Sequence, residues 1–258
     1  MNCSPRRTLP HRPDPGTLQK LQESAQTLIR QRESNRIPEF SDQNAEYFAK
    51  LANLRFIQGM VGYLFDRPLP AVADEIRRGL REIRTAFRFG HECNAWEMWN
   101  YLTFALSISA RSLADFIASV PDETWWDDTI KPVPWLVLQV QAAIALLHDG
   151  PEAAPLLHDL HVEVFETELP IELHKDLPWI QSTHALLDAL QRKDSKQFNH
   201  TLQARLEIRA RAYSEENTAA PIALLDLHSL GLCRLALDRG IEIHVHHPYV
   251  PLELLETT

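Results

Sequence analysis

The sequence is poor in glycine, which argues against a fold built from β-hairpins. Only 8 glycines occur among 258 residues, and tight hairpin turns need glycine at backbone angles that other residues avoid. The Asp149-Gly150 pair is followed at once by Pro151, which a continuing central strand would not accept. The 17 prolines fall mostly between apolar periodic stretches, where they separate helices.

Cysteines, long apolar runs and catalytic motifs are also scarce. Cys3, Cys93 and Cys233 are too few and too scattered for a disulfide framework or a zinc ribbon, which fits a reducing compartment. No stretch approaches the roughly 18 apolar residues of a membrane span, and no apolar segment follows Arg6-Arg7 as a twin-arginine signal requires. P-loop, dinucleotide, nucleophile-elbow and His-Glu-x-x-His patterns are missing. We therefore expect a cytoplasmic protein with no catalytic residues, cofactor or membrane partner.

The charge balance bears on the kind of partner. Lysine and arginine number 26 against 35 acidic residues, a formal net charge of -9 and a pI near 5.7. Such a chain repels nucleic acid and anionic lipid at long range and attracts a basic protein. We expect no direct nucleic-acid binding.

Apolar residues recur at helical spacing along most of the chain. The clearest case is Val72, Ile76, Leu80, Ile83 and Phe87, which share one face of a helix. The pattern predicts an all-α fold, a stacked antiparallel bundle of about nine or ten helices with at most one short C-terminal strand, at 241–245. The predicted helices cover 17–31, 42 to the stop at Arg67-Pro68, 72 to the end marked by Gly90, 94–110, 112–120, 135–148, 152–166, 179–191, 195–213 and 221–238.

Two helical pairs, 135–166 and 179–213, have a similar rhythm and are predicted to form loosely TPR-like hairpins. Two units without a consensus period favour a stacked bundle over a solenoid. We expect residues 1–16, with four prolines and three arginines, to be a disordered tail and 17–258 to be a single domain.

The segment 121–132, here called the acidic elbow, is the most suggestive surface. Acidic residues surround two tryptophans that could anchor a partner, and further acids follow near a neighbouring helix end. The residues proposed to contact a partner are Asp122, Glu123, Trp125, Trp126, Asp127, Asp128, Glu166 and Glu168. The alternative is that the tryptophans fill the core between two helices.

Histidines provide the most enzyme-like signal. On a strand, His244 and His246 would share a face as metal ligands, but no cysteine or carboxylate cluster stands at ligand spacing, so a polar edge strand is favoured. His158 and His161 share a helical face without a third ligand, and His228 suits a hydrogen-bonded core position. We expect no metal. A row of arginines on the third helix either grips phosphate or pairs with acids on the same helix.

Core and helix-capping stretches in the C-terminal half form a pattern of many weak signals. They are Phe198–Leu202 through Tyr213, Ile222–Leu225, Leu235–Gly240 and Val245–Leu255, joined upstream by Trp99–Val120 followed by Pro121 and by Trp135–Leu157. The pattern resembles immunity protein family forty-nine, whose members accompany bacterial polymorphic toxins, and the likeness covers roughly residues 70–255. None of the matching stretches is catalytic, and none identifies a toxin contact.

The resemblance implies an all-α protein that binds and neutralises a cognate toxin in the producing cell, as in polymorphic toxin and type VI secretion systems. The resemblance also implies that the toxin is encoded by an adjacent gene. The acidic charge agrees with a basic, nuclease-type toxin that acts in the cytosol. The alternative is a helical-repeat scaffold or adaptor that binds a peptide or protein partner, and a metal-dependent enzyme ranks third.

Overall fold

The protein is an all-α bundle, as predicted. The computed structural model describes residues 15–34, 42–125, 133–167, 174, 176–216 and 225–256, and within them it contains ten α-helices and no sheet. The helices are α1 (Pro15–Ser34), α2 (Asp42–Leu64), α3 (Leu69–Arg88), α4 (Ala95–Ser107), α5 (Arg111–Ala118), α6 (Pro134–Leu147), α7 (Ala153–His161), α8 (Leu177–Arg192), α9 (Ser195–Glu216) and α10 (Leu227–Asp238). The predicted tail lies outside the described residues except for Pro15 and Gly16, which belong to α1.

Local signals account for several helix ends. Asn94 caps α4 through a capping box, in which its side chain accepts from the Glu97 amide while the Glu97 side chain accepts from the Asn94 amide. Gly90 and Gly240 follow α3 and α10 with φ of +80° and +79°, values that favour glycine. These ends are therefore encoded within a few residues of sequence.

The last predicted helix and the predicted strand need correction. Helix α10 begins after Asp226, whose side chain accepts from the Ser229 amide as an N-cap, and Leu225 and Asp226 are not helical. Residues 241–246 form no strand. The Asn199 side chain makes the backbone hydrogen bonds that a neighbouring strand would otherwise make. It donates to the Glu242 carbonyl (2.8 Å) and accepts from the His244 amide (2.6 Å). The one contact of strand type among the described residues is an isolated bridge between His247 and Val250.

The helices pack largely as hairpins, which include the two predicted pairs. Helix α2 packs along α3, α6 along α7, and α8 along α9, while α10 packs against α4. The backbones of α10 and α4 lie in close contact at Gly231. A Cβ at this position would lie only 2.6 Å from the Thr103 carbonyl oxygen. Arg239, at the end of α10, donates to the Leu146 and Leu190 carbonyls at 3.0 Å each. One arginine thus caps the ends of α6 and α8, the first helices of the two hairpins.

A buried polar cluster joins α8, α9 and α10. The Arg205 guanidinium lies over the Trp179 ring and donates to Ser229 Oγ (3.1 Å), and Ser229 Oγ in turn donates to Asp226 Oδ2 (2.6 Å). Arg209 pairs with the same carboxylate at 3.2 Å. Burial alone would raise the pKa of Asp226, but Arg209 and Arg205 hold it below its ordinary value. The Asp226 carboxylate is therefore ionised and faces both arginines.

Candidate functional site

The described part of the acidic elbow is a short turn held against α6. After α5, Pro121 leads into a 3-10 turn over Asp122–Thr124, and the Trp125 amide donates to the Asp122 carbonyl (3.0 Å). The Asp122 side chain accepts from Gln141 Nε2 on α6 at 3.0 Å. This bond positions the start of the elbow beside the α6–α7 hairpin.

The residues proposed from the sequence differ in their surroundings. Asp122 and Glu123 are exposed, whereas Trp125 is only 4% exposed and belongs to the core. Trp125 therefore fits the alternative in which the tryptophans fill the core. The Trp125 ring offers a partner little surface. Glu166 is exposed at the end of a π-helical turn, Val162–Glu166, that continues α7. Trp126, Asp127, Asp128 and Glu168 lie outside the described residues.

A groove of about 570 Å³ lies between the described start of the elbow (121–125), the end of α5 and the α6–α7 hairpin. Its apolar part includes the half-buried side chains of Val120, Ile144 and Leu156. Carboxylates of Asp122, Glu152 and Asp159 also line it, and no lysine or arginine is among the described lining residues. We call this feature the acidic groove. It joins part of the predicted surface to residues that the sequence analysis did not single out.

Glu152 and Asp159 are the acidic residues that sequence reasoning missed. A signal was present, because Glu152, Leu156 and Asp159 are spaced by four and three residues and therefore share a helical face. The sequence did not indicate that this face turns toward the elbow. Glu166, which was proposed, does not line the groove; next to it Phe165 is 46% exposed and packs against His161 and His184.

The family model described as Immunity protein 49 matches residues 42–254. The chain belongs to the Immunity protein 49 family. The match includes α2 to α10 and both the elbow and the acidic groove, while α1 lies before it. Neither the curated proteins nor the solved structures contain a significant match to the chain.

Three histidines of this Immunity protein 49 member, at 228, 244 and 247, have neighbours that suit a structural role. His228 is buried, with Nε2 2.7 Å from Asn100 Oδ1, and burial lowers its pKa to about 3, so the ring is neutral. His247 Nδ1 accepts from the Tyr249 amide at 3.2 Å, and His244 is exposed beside Glu242. In the part of the chain that the structure describes, no three histidine, cysteine or acidic side chains stand close enough to hold a metal ion.

The cysteines of the family member are buried, and two arginines of α3 contact other side chains of the same chain. Cys93 and Cys233 are buried, and burial raises the pKa of the Cys93 thiol to about 12, which disfavours a nucleophilic thiolate. On α3, Arg77 pairs with Asp74 (2.7 Å) and the Arg84 guanidinium lies over the Phe116 ring. None of the described helices combines the length and apolar character needed to cross a bilayer.

Proposed function

We propose that this chain is an immunity protein that binds a cognate antibacterial toxin in the cytosol of the producing cell and neutralises it. Membership of the Immunity protein 49 family carries the proposal. The net charge of -9 favours a partner of opposite charge. We propose that this partner is a basic, nuclease-type toxin encoded by an adjacent gene. A nuclease needs a positive cleft for nucleic acid, and an acidic inhibitor can use the same charge for attraction and for masking the cleft.

The toxin is proposed to dock on the acidic elbow. Asp122 and Glu123 are exposed there, and Asp127 and Asp128 follow in the sequence with Trp126, extended by Glu166 and Glu168. Exposed rim carboxylates act mainly on the association rate, because they steer the encounter while remaining in water. As an anchor that loses its water on binding, Trp126 would add about 2 kcal/mol or more to the binding free energy if it is a hot spot.

The test is protection and complex formation with the toxin encoded beside this gene. Cells that express the toxin should survive only when the chain is co-expressed, and an inactivated toxin should co-purify with it one-to-one. Charge reversal with Asp127→Lys and Asp128→Lys should weaken the complex in a salt-dependent manner without lowering the melting temperature.

A matched control carries the same change of net charge elsewhere. Glu23→Lys and Glu253→Lys alter exposed acids on α1 and on the C-terminal 3-10 turn, Leu252–Glu256, and should leave binding intact. If the elbow variant binds and protects as well as the wild-type chain, the elbow is not the docking surface. If the wild-type chain does not protect, the immunity function itself is wrong, and binding of several unrelated partners would favour the scaffold alternative.

A further inference from the structure

We infer that the acidic groove is the seat for one basic segment of the toxin, a stretch of chain that presents an apolar side chain flanked by lysine or arginine. The inference rests on the proposed function and adds two residues to the contact surface: Glu152, which precedes α7, and Asp159, on α7. The groove is large enough, at about 570 Å³, to hold several side chains.

Charge complementarity identifies the occupant. Asp122, Glu152 and Asp159 line the groove, and among the described residues neither Glu152 nor Asp159 forms an ion pair or a side-chain hydrogen bond. A neutral partner that covered these carboxylates would remove water from them without replacing its hydrogen bonds, which is unfavourable. A lysine or arginine supplies both the charge and the donors.

The rest of the lining favours a segment with an apolar tip. Val120, Ile144 and Leu156 are half-buried in the free chain, so an apolar side chain that covers them removes further apolar surface from water. Trp125 also lines the groove, but its ring is buried and therefore adds little surface for a partner.

A second copy of this chain is a poorer occupant. Each copy carries a formal charge of -9, so self-association at this groove would bring like charges together, which raises the free energy of the complex. A basic toxin avoids this repulsion.

The experiment compares Glu152→Lys/Asp159→Lys with the charge-matched Glu23→Lys/Glu253→Lys control. All four residues are exposed and lie outside the core, so both variants should fold. Binding to an inactivated form of the toxin encoded by the adjacent gene is measured from about 0.05 to 0.5 M NaCl. The groove variant should raise Kd by about tenfold or more at intermediate salt, with a slower association rate, and the control should bind as the wild-type chain does.

Hydrogen exchange of the complex provides a second readout. Amides within 118–125 and 152–159 should gain protection when the toxin binds, and protection confined to other parts of the chain would overturn the groove. Equal binding by the groove variant and the control overturns the groove while leaving the immunity function in place. Failure of the wild-type chain to bind the toxin overturns both. If the wild-type chain forms a dimer and the groove variant does not, the groove binds a second copy of the chain. This result also overturns the inference.

Discussion

The charges between α8, α9 and α10 are buried and paired with one another, whereas those of the acidic groove are exposed to solvent. Asp226 meets Arg209 at 3.2 Å and accepts from Ser229 in the interior. Glu152 and Asp159 make no comparable contacts among the described residues. The first arrangement stabilises the fold, because removing one partner would leave the other charge buried without compensation. The second contributes little to folding, because its carboxylates remain in solvent.

The largest effect is expected from Asp226→Ala. The change leaves the Arg209 guanidinium buried without its carboxylate and removes the N-cap of α10, so the free energy of unfolding should fall by about 3 to 5 kcal/mol. Urea denaturation measures it. Asp238→Ala, which breaks the partly exposed i,i+4 pair with Arg234, serves as the control and should cost about 0.5 kcal/mol. Similar losses of unfolding free energy for the two variants would contradict the proposed difference between buried and exposed charges.

Trp125→Ala tests whether the aromatic residue of the groove region belongs to the core. Because Trp125 is 4% exposed, its truncation should reduce the free energy of unfolding by about 3 kcal/mol or more. A loss of less than about 1 kcal/mol would mean that the ring is not packed as described and would restore it as a surface anchor.

Acid should destabilise the protein through its buried histidine. The pKa of His228 is about 3 in the folded chain against 6.5 in the unfolded one. Below pH 6.5 the unfolded chain therefore binds a proton that the folded chain excludes, and stability is lost as the pH falls from 6.5 toward 3. Between pH 7 and 4.5 the loss from this residue should be on the order of 2 to 3 kcal/mol.

The comparison variant for this pH effect is His228→Gln, which keeps a donor for Asn100 and removes the titrating group. Its unfolding free energy should decline less steeply over the same interval. Some decline should persist, because burial also lowers the pKa of His91, His184 and His247. Identical pH profiles for the variant and the wild-type chain would show that His228 is not held neutral.

The smallest effect is expected from Glu152→Gln/Asp159→Asn. Since neither carboxylate forms an ion pair or a side-chain hydrogen bond among the described residues, their neutralisation should change the free energy of unfolding by less than about 0.5 kcal/mol. A loss above about 1 kcal/mol in thermal or urea unfolding would show that they stabilise the fold, which would erase the difference between the two regions.

The acidic elbow and the C-terminal segment show how far sequence reasoning extends. Exposure of Asp122 and Glu123 agrees with the sequence-based expectation, but the burial of Trp125 is a tertiary outcome that the pattern of the segment left open. The strand at 241–245 was wrong because extended residues form a strand only beside a partner strand, and here the Asn199 side chain takes that place. Such a contact joins residues more than forty positions apart and has no local signature.

By itself, the sequence determined the helices, several of their ends and the family, because helical periodicity, capping residues and apolar spacing act within a few turns of chain. Only the tertiary structure decided which faces meet. It buried Arg205 and Arg209 against Asp226, and it placed Glu152, before α7, and Asp159, on α7, beside the start of the elbow to form the acidic groove. The physical reason is that packing between helices depends on the combined shape of many side chains, whereas a helix depends mainly on its own.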